Sequence, residues 1–425
     1  MKLITRQTCR ICGSRALSPA ISLGEQYIAS NFATSKDFKS VERKVPLEVV
    51  RCDPELDEKA CGFVQLRHSV PPNLMYSVYG YRSGINATMT RHLQSIVASL
   101  EERVPLGAGD AVVDIGANDG TLLRGYSAPG IRLIGFEPSN VAPDEKDIPA
   151  SWTIVRDYFS GAALGRVLSG GKARVITSIA MFYDLEDPNS FVADVASSLA
   201  DDGVWVLELS YLPMMLDQNS FDTICHEHLG YYSLTVLEPM LQRHGLKILD
   251  VTTSAINGGS FRVWTGHAGN QYPFATPESE LRVHAMRQRE FELCLDTPAP
   301  FRHFQRDCET IRSNLRKLLL RLKAEGKSIY GYGASTKGNV ILQFCELTPR
   351  IVTAIADRNP AKWGTRTLGT DIPIVSEEEM RTAKPDYLLV LPWHFLTEFV
   401  ERESEYLQRG GKLILPLPEV RSFPS

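Results

Sequence analysis

The chain has 425 residues and a formal net charge of −4 at pH 7, and 43% of its residues are hydrophobic and 23% charged. This composition is typical of a globular protein of two or three domains, and the small acidic excess does not favour nucleic acid as a partner. No apolar run reaches membrane-spanning length and no signal-peptide core follows Met1, so we expect a cytoplasmic protein with no membrane partner. In that compartment, the eight cysteines are more often metal ligands or thiols than disulfides.

Four of the cysteines predict a metal site near the N-terminus. Cys9 and Cys12 are separated by two residues, a spacing from which two thiolates reach one ion, and Cys52 and Cys61 can complete a tetrahedral shell. The second pair is spaced more loosely, and a mixture of buried and free thiols is the alternative. We predict a closed, structural zinc site in a lid module over residues 1–85. Four protein ligands leave no open position, so we expect no zinc catalysis.

A tyrosine-rich segment ends this module. Tyr79 and Tyr81 precede Ser83 and Gly84, and the segment leads directly into the next domain. Packing of an amphipathic segment would explain this spacing, but a phenol is also a good donor to a developing oxyanion. The segment is therefore a candidate wall of the next domain's cleft.

A strand-to-turn pattern follows. An apolar run ends in Asp114, and Gly116, Asn118 and Gly120 lie in a loop of the form Gly-x-x-x-Gly. A second apolar run ends in Glu137, where an acidic side chain can accept hydrogen bonds from ribose hydroxyls. The pair resembles the S-adenosylmethionine site of class I methyltransferases, whereas dinucleotide-binding folds prefer Gly-x-Gly-x-x-Gly. The alternative is an ordinary strand-to-helix turn of an α/β domain.

Strands and helices alternate over residues 86–270, which we assign to one domain. Further strands are predicted at residues 153–159, 174–178 and 203–209, which implies a parallel sheet with ligands at the carboxyl ends of its strands. Asp157, in the first of these strands, either reaches an adenine amino group or caps a helix.

A histidine-rich stretch contains His226, Glu227 and His228, followed by Tyr231. Two histidines around a glutamate suggest a metal, but they lack the i, i+4 spacing of a zincin helix and no third ligand is evident. The second interpretation is acid–base chemistry, because a histidine titrates near neutrality and an adjacent carboxylate raises its basicity. A purely structural role is the third.

A glycine pair lies between Asn257 and Ser260, and Arg262 follows. Two glycines, a serine and an arginine suit the close approach of an anionic or hydroxylated ligand. A hairpin turn is the alternative.

Residues 271–425 begin with charged helical patterns and continue as a second strand-and-helix series. Its first strand leads into a Gly331-x-Gly333 loop, and Lys337 follows four residues after the second glycine. Asp357 stands about 24 residues after the loop. This arrangement is also typical of a nicotinamide dinucleotide site, which would make the domain a reductase. Lys337 is better suited to the phosphates of a nucleotide diphosphate.

Two later strand ends of this domain carry candidate ligand contacts. Trp393 offers a stacking face for a base or sugar, and His394 stands beside it. Arg358 follows the strand that ends in the acidic residue. Trp393 can equally belong to the core, and Arg358 can be a solvated turn residue.

Taken together, five stretches make the whole chain resemble the nucleotide-sugar C-methyltransferases that act on 4-keto deoxysugars. They are the four-cysteine N-terminus, Tyr79 to Gly84, Asp114 to Gly120, the His-Glu-His-x-x-Tyr-Tyr-Ser string at His226 to Ser233, and the loop from Gly331 to Gly338.

The resemblance implies an α/β protein: a class I methyltransferase Rossmann-like domain flanked by a small zinc-binding N-terminal module and a second Rossmann-like C-terminal domain. It implies that His228 is the general base and that Glu227 and Tyr79 are catalytic, with His226 beside them. S-adenosylmethionine, near Ser83, and structural zinc are the implied cofactors. A small nucleotide-linked sugar is the implied partner, and a monomer is compatible with the pattern.

Three departures from the sugar enzymes concern the acceptor. Cys225 stands where those enzymes carry a tyrosine, Asn257 replaces a histidine, and Met181 to Asp184 replace an Ala-His-Ile-Pro-like run. They leave the methyl donor untouched and keep other functions open. These are methylation of a hydroxyl or of a non-sugar acceptor, and a C-terminal reductase that uses NAD(P).

Overall fold

The computed structural model describes residues 3–30, 32–33, 44–71, 75 and 81–424. The first unit is built from short strands. They are β1 (Ile4–Thr5), β2 (Leu17–Gln26), β3 (Phe32–Ala33), β4 (Val45–Cys52), β5 (Val64–Leu66) and β6 (His68–Ser69). β2, β4 and β5 form an antiparallel sheet, and β1 pairs with β6. Val45, Leu47, Val49 and Val50 of β4 are fully buried, so this strand is the core of the small module.

The second unit is a seven-stranded sheet with helices around it. Its strands are β7 (Ala111–Ile115), β8 (Arg132–Phe136), β9 (Trp152–Val155), β10 (Ala173–Ile179), β11 (Leu199–Ser210), β13 (Leu246–Ser254) and β14 (Ser260–His267), and the short β12 (Gly230–Tyr231) lies outside the sheet. Its helices are α1 (Ala87–Arg103), α2 (Gly161–Val167), α3 (Pro188–Ser198), α4 (Leu212–Asp217) and α5 (Leu234–Arg243). The strand order is β13-β14-β11-β10-β7-β8-β9, and β14 runs antiparallel to both of its neighbours.

Local sequence explains the start of this sheet. Asn86 caps α1, because its side chain accepts hydrogen bonds from the backbone N–H groups of Thr88 and Met89. Leu93, Ile96, Val97 and Leu100 recur at helical spacing and bury one face of α1. All five residues of β7 are buried, as expected for a central parallel strand covered on both faces.

The third unit follows two long helices, α6 (Pro277–Glu292) and α7 (Ala299–Ala324). Its strands are β15 (Ile329–Tyr332), β16 (Ile355–Asp357), β17 (Arg366–Thr367), β18 (Ile374–Ser376), β19 (Tyr387–Val390), β20 (Lys412–Leu415) and β21 (Arg421–Phe423). Its helices are α8 (Thr336–Phe344), α9 (Glu377–Ala383), α10 (Leu396–Arg402) and α11 (Ser404–Gln408). Six strands form a sheet in the order β18-β16-β15-β19-β20-β21, parallel except for β21.

The three units are joined by pairing as well as by packing. β12 extends the N-terminal sheet through β5, and β3 pairs with β17. The two α/β sheets confirm the predicted fold class. Within the described part of the chain, no helix combines the length and the apolarity that crossing a bilayer requires.

Candidate active site

The four N-terminal cysteines converge. The Cys9 and Cys61 sulfurs lie 3.6 Å apart, those of Cys12 and Cys52 3.4 Å apart, and all four Sγ atoms lie within 4.8 Å of one another. A tetrahedral zinc ion with bonds of about 2.3 Å to sulfur separates its ligands by about 3.8 Å. Four cysteine sulfurs at these distances fit a closed structural zinc site.

The cysteine turn is docked against the central unit through Arg10. Its buried guanidinium donates to the Ser69 hydroxyl (2.6 Å), the Leu66 carbonyl (2.7 Å) and the Glu186 carboxylate (3.1 Å). Asn189 adds hydrogen bonds from its amide to two carbonyls of the same turn. Glu186 also lines the cavity between the central sheet and the C-terminal unit that is described next, so the zinc module supports part of that cavity's wall.

A cavity of about 470 Å³ lies between the central sheet and the C-terminal unit. The carboxyl ends of β7, β8 and β10 form its floor, which is where ligands bind in open α/β sheets. Its walls carry polar or ionisable side chains from the central and C-terminal units, among them Ser83, Asp114, Asn118, Glu137, Glu227, His228, Asn257, Lys337 and His394.

One end of the cavity is built from the loop after β7. Gly116 has a φ of +75°, and a Cβ there would lie 3.2 Å from Cγ of Met181, so both conformation and space favour glycine. The Glu137 carboxylate accepts hydrogen bonds from the N–H groups of Asn118 (2.8 Å) and Ser139 (2.9 Å). Backbone and carboxylate therefore hold each other in place at the cavity edge.

Asp114 lies beneath that loop. Its carboxylate accepts a hydrogen bond from the Thr177 hydroxyl (2.6 Å). Burial, together with the neighbouring charge of Glu137, raises the pKa of Asp114 to about 7. A cationic ligand would stabilise the ionised form of Asp114, whose pKa is raised, and would also be attracted by Glu137. S-adenosylmethionine carries a sulfonium, an ammonium and ribose hydroxyls, so this end fits the predicted methyl donor.

Not every residue predicted to bind the methyl donor faces the cavity. Asp114, Gly116, Asn118 and Glu137 line it, as does Ser83, whose N–H donates to the Asn118 side chain (3.0 Å).

The other two residues predicted to bind the methyl donor, Gly120 and Asp157, lie outside the cavity lining. Gly120 has a φ of +77°, and a Cβ there would lie 2.7 Å from the Trp152 ring, so it serves loop packing. The exposed Asp157 accepts a hydrogen bond from the N–H of Tyr158 (2.7 Å), and it is Tyr158 and Phe159 that line the cavity.

His228 also lines the cavity. Its Nδ1 lies 2.7 Å from the Thr223 carbonyl oxygen. A carbonyl can only accept, so Nδ1 carries the proton and Nε2 keeps its lone pair. Burial, and then the charge of Lys337, lower the pKa of His228 to about 3. The Tyr183 ring packs against the imidazole with centroids 4.3 Å apart, which fixes its orientation.

The two residues before His228 differ from each other. Glu227 lines the cavity, and burial raises its pKa to about 7. His226 lies outside the lining and is 2% exposed, and its Nε2 donates to the Val45 carbonyl (3.1 Å). That bond ties the histidine stretch to β4 of the N-terminal module. The structure thus places one histidine at the cavity and one in the module contact.

Lys337 enters the cavity from the C-terminal unit. Its Nζ donates to the Thr223 hydroxyl (3.0 Å) and to the backbone carbonyl of Asn257. Asn257 has a φ of +56° and also lines the cavity. Sequence reasoning did not single out Thr223, since a lone threonine before the histidine stretch carries no motif.

The tryptophan and histidine after β19 separate in the same way. Trp393 is buried outside the lining, and its Nε1 donates to Asp222 (3.0 Å). Its face is therefore in the core and not offered to a base or sugar. His394 lines the cavity, and burial lowers its pKa well below the usual value.

Four other residues predicted to bind the substrate lie outside the cavity lining: Tyr231, Ser260, Arg262 and Arg358. Tyr231 is 2% exposed, and the buried Ser260 donates to the Ile256 carbonyl (3.0 Å). Arg262 donates to the buried Glu208 (2.9 Å). Arg358 forms ion pairs with carboxylates of its own domain.

Tyr79 lies outside the described residues, so its predicted role stays a prediction. All three acceptor-side departures can be located, and one of them, Asn257, lines the cavity. Cys225 and Phe182 are both fully buried and stand outside the lining, whereas Tyr183 and Asp184 line the cavity. The residues of the replaced run that can meet an acceptor are therefore Met181, Tyr183 and Asp184, all of which line the cavity.

Comparison with protein families divides the chain into three matched segments. Residues 9–76 match a family described as a zinc binding domain, residues 85–251 a methyltransferase domain, and residues 255–418 the C-methyltransferase C-terminal domain.

Among curated proteins, the chain is similar to the C-methyltransferase NovU of Streptomyces niveus, with 32% identity over 421 residues that span 97% of this chain and 96% of NovU. Similar solved structures include magnesium protoporphyrin IX methyltransferase of Synechocystis PCC 6803 with bound S-adenosylmethionine (TM-score 0.30, 14% identity, 41% of this chain and 78% of that one). Another is the calicheamicin biosynthesis methyltransferase CalO1 (TM-score 0.31, 16% identity, 42% and 55%). These structural scores are too low to support an argument about the site.

Proposed function

We propose the function from one premise: the chain belongs to the C-methyltransferase family that includes NovU, with a zinc-binding module, a methyltransferase domain and a C-methyltransferase C-terminal domain in one polypeptide. It is therefore an S-adenosylmethionine-dependent methyltransferase that uses structural zinc. We infer that its acceptor is a nucleotide-linked keto sugar, methylated on a carbon beside the ketone. In this proposal, residues 1–85 form the zinc module, 86–270 hold the donor, and 271–425 carry the nucleotide sugar.

The observation that carries the proposal is that one cavity is lined by two chemically different sets of side chains. Asp114 and Glu137 suit a cation, and His228, Glu227 and Lys337 suit proton removal and a developing anion. Carbon methylation needs both, because the carbon must lose a proton before it can attack.

When bound, S-adenosylmethionine supplies an electrophilic methyl group on a cationic sulfur. Asp114, Gly116, Asn118, Glu137 and Ser83 are the residues that would hold it. The remaining work falls to the chain itself. The cavity orients the two reactants and excludes water, a contribution that comes mainly from positioning.

Proton removal is assigned to His228. Its Nδ1–H bond to Thr223 presents the unprotonated Nε2 as the acceptor of a proton from the carbon beside the ketone. Glu227, which shares the cavity, assists as a carboxylate that can stabilise the imidazolium. Tyr79 is proposed to donate a hydrogen bond to the enolate oxygen.

The strongest competing acceptor is a hydroxyl or a non-sugar metabolite. Tyr183 and Asp184 favour it, since they line the cavity where the sugar enzymes carry a different run. A C-terminal reductase is less supported. Its key acid, Asp357, stands outside the cavity lining, and the Lys362 ammonium lies 3.6 Å from its carboxylate.

The test combines ligand binding with product analysis. Calorimetry with S-adenosylmethionine, NADPH and thymidine diphosphate should show binding of the first and third and none of the second. Turnover of thymidine diphosphate-linked 4-keto-6-deoxyglucose with a ¹³C-methyl donor should give a carbon-bound methyl signal by NMR. An oxygen-bound methyl signal would select the competing acceptor, and absence of donor binding would overturn the proposal as a whole.

A further inference from the structure

Thr223 connects two domains at the reactive end of the cavity. Its backbone carbonyl accepts the Nδ1–H of His228 (2.7 Å), and its hydroxyl accepts a hydrogen bond from Lys337 Nζ (3.0 Å). One short 3₁₀ turn, Phe221–Thr223, therefore holds the imidazole of the central unit and the ammonium of the C-terminal unit side by side. Both side chains line the same cavity.

The Lys337 ammonium has only neutral acceptors at hydrogen-bond distance. These are the Thr223 hydroxyl and the Asn257 carbonyl, and within the described residues no carboxylate oxygen lies within 4.0 Å of Nζ. The nearby Asp222 directs its Oδ2 to the Trp393 indole (3.0 Å) instead. An ammonium has three N–H donors, so one remains for a ligand. Asp222 acts on the ammonium only through its nearby charge, without a direct contact. A largely enclosed cation with a free N–H and no carboxylate in contact favours an anion in the cavity.

The position of Nζ separates two roles for that anion. Lys337 belongs to the first turn of α8, but both of its acceptors belong to the central unit. The ammonium is thus held across the domain boundary, by the same Thr223 whose carbonyl accepts the Nδ1–H of His228. A lysine that only neutralised phosphates at the N-terminus of α8 would not need these two bonds.

Resting on the proposed function, we propose that Lys337 is a further catalytic residue whose ammonium donates a hydrogen bond to the enolate oxygen of the acceptor. In that step, the proton on the carbon beside the ketone moves to Nε2 of His228. The C–H electron pair becomes the carbon–carbon double bond, and the carbonyl π pair moves onto oxygen. Lys337 keeps its proton and stabilises the negative oxygen, a contribution typical of oxyanion donors.

The experiment isolates enolisation from methyl transfer. Thymidine diphosphate-linked 4-keto-6-deoxyglucose is incubated in D₂O with enzyme and S-adenosylhomocysteine, and deuterium uptake beside the ketone is followed by NMR. Lys337→Met should lower the exchange rate at saturating probe about 10²–10³-fold, as removal of an oxyanion donor typically does. Affinities for S-adenosylhomocysteine and thymidine diphosphate, measured by calorimetry, should stay within about threefold.

The controls distinguish a catalytic from a structural lysine. Lys327→Met removes a lysine of the same domain that pairs with Asp386 outside the cavity, and it should exchange at the wild-type rate. Lys337→Arg, which keeps the charge, should recover part of the activity. The His228 pKa, read by NMR of labelled histidine, should rise in Lys337→Met because a neighbouring cation is lost.

Three results would overturn the assignment. A Lys337→Met variant with weaker probe binding but a wild-type exchange rate at saturation would make Lys337 a phosphate ligand only. A His228 pKa that does not move would place the ammonium away from the base. A wild-type enzyme that binds thymidine diphosphate yet exchanges no deuterium would overturn the proposed function, and the role of Lys337 with it.

Discussion

The central and C-terminal units repeat one local arrangement and use it differently. In each unit, a first strand is followed by a glycine loop, and an acidic residue stands at the carboxyl end of the second strand. That acid accepts a hydrogen bond from a backbone N–H of the glycine loop. Glu137 accepts from Asn118 N–H (2.8 Å), and Asp357 from Ala334 N–H (2.7 Å). Glu137 also faces the cavity, whereas Asp357 stands outside its lining with the Lys362 ammonium 3.6 Å away.

The difference shows that a strand–loop–acid motif does not by itself define a ligand site. In the C-terminal unit a lysine of the same chain occupies the neighbourhood that a ribose would take in a dinucleotide fold. The unit instead presents Ser335, Thr336 and Lys337 to the cavity. In the proposed mechanism, the central unit would bind the donor through its acids, and the C-terminal unit would supply the cation.

The largest expected effect lies where the two units meet. His228→Asn keeps a side chain of similar size but removes the base, so turnover should fall about 10³-fold or more. Affinity for S-adenosylmethionine, measured by calorimetry, should be unchanged because the residues proposed to hold the donor, most of which lie at the carboxyl ends of β7 and β8, do not include His228. Turnover equal to that of the wild type would remove His228 from the mechanism.

A matched pair of substitutions tests the contrast directly. Glu137→Gln removes a charge at the cavity, and a hydrogen bond to a charged group is worth about 1.5–3 kcal/mol, so affinity for S-adenosylmethionine should fall about 10–150-fold. Asp357→Asn makes the same chemical change outside the cavity and should leave that affinity unchanged. Equal losses in both variants would mean that the acids act through folding rather than through the ligand.

Sequence patterns located the loops of both units and the cysteine cluster, because each of these depends on neighbouring residues or on a strong metal preference. The predicted fold class, methyl donor and enzyme class are confirmed. The pattern could not separate His226 from His228, since both flank Glu227. That separation depends on Val45, 181 positions away, whose carbonyl engages His226. The sequence also could not decide whether Trp393 faces a ligand or the core, because its hydrogen-bond partner Asp222 lies 171 positions away.

The pH dependence of turnover should come from the central unit. The pKa of Glu227 is raised to about 7 by burial, so its carboxylate is lost as pH falls through 7. If that carboxylate assists His228, kcat/KM for the acceptor should fall about five- to sixfold between pH 7 and pH 6, because the ionised fraction of Glu227 drops from about one half to about one eleventh. The low pKa of His228, about 3, adds no change in this range. Glu227→Gln should be less active, with a flat profile; a sloping one would assign the titration to another group.

The smallest effect concerns Asp114 and has no counterpart in the C-terminal unit. Its pKa of about 7 leaves it partly protonated at neutral pH. A cationic donor stabilises the carboxylate, so the pKa falls on binding and a proton is released. Calorimetry of S-adenosylmethionine in buffers of different ionisation enthalpy at pH 7 should therefore show release of about half a proton. Asp114→Asn should release none. A wild-type protein with no proton release would mean that the donor's positive charge lies away from Asp114, and the electrostatic contrast between the two units would then rest on Glu137 alone.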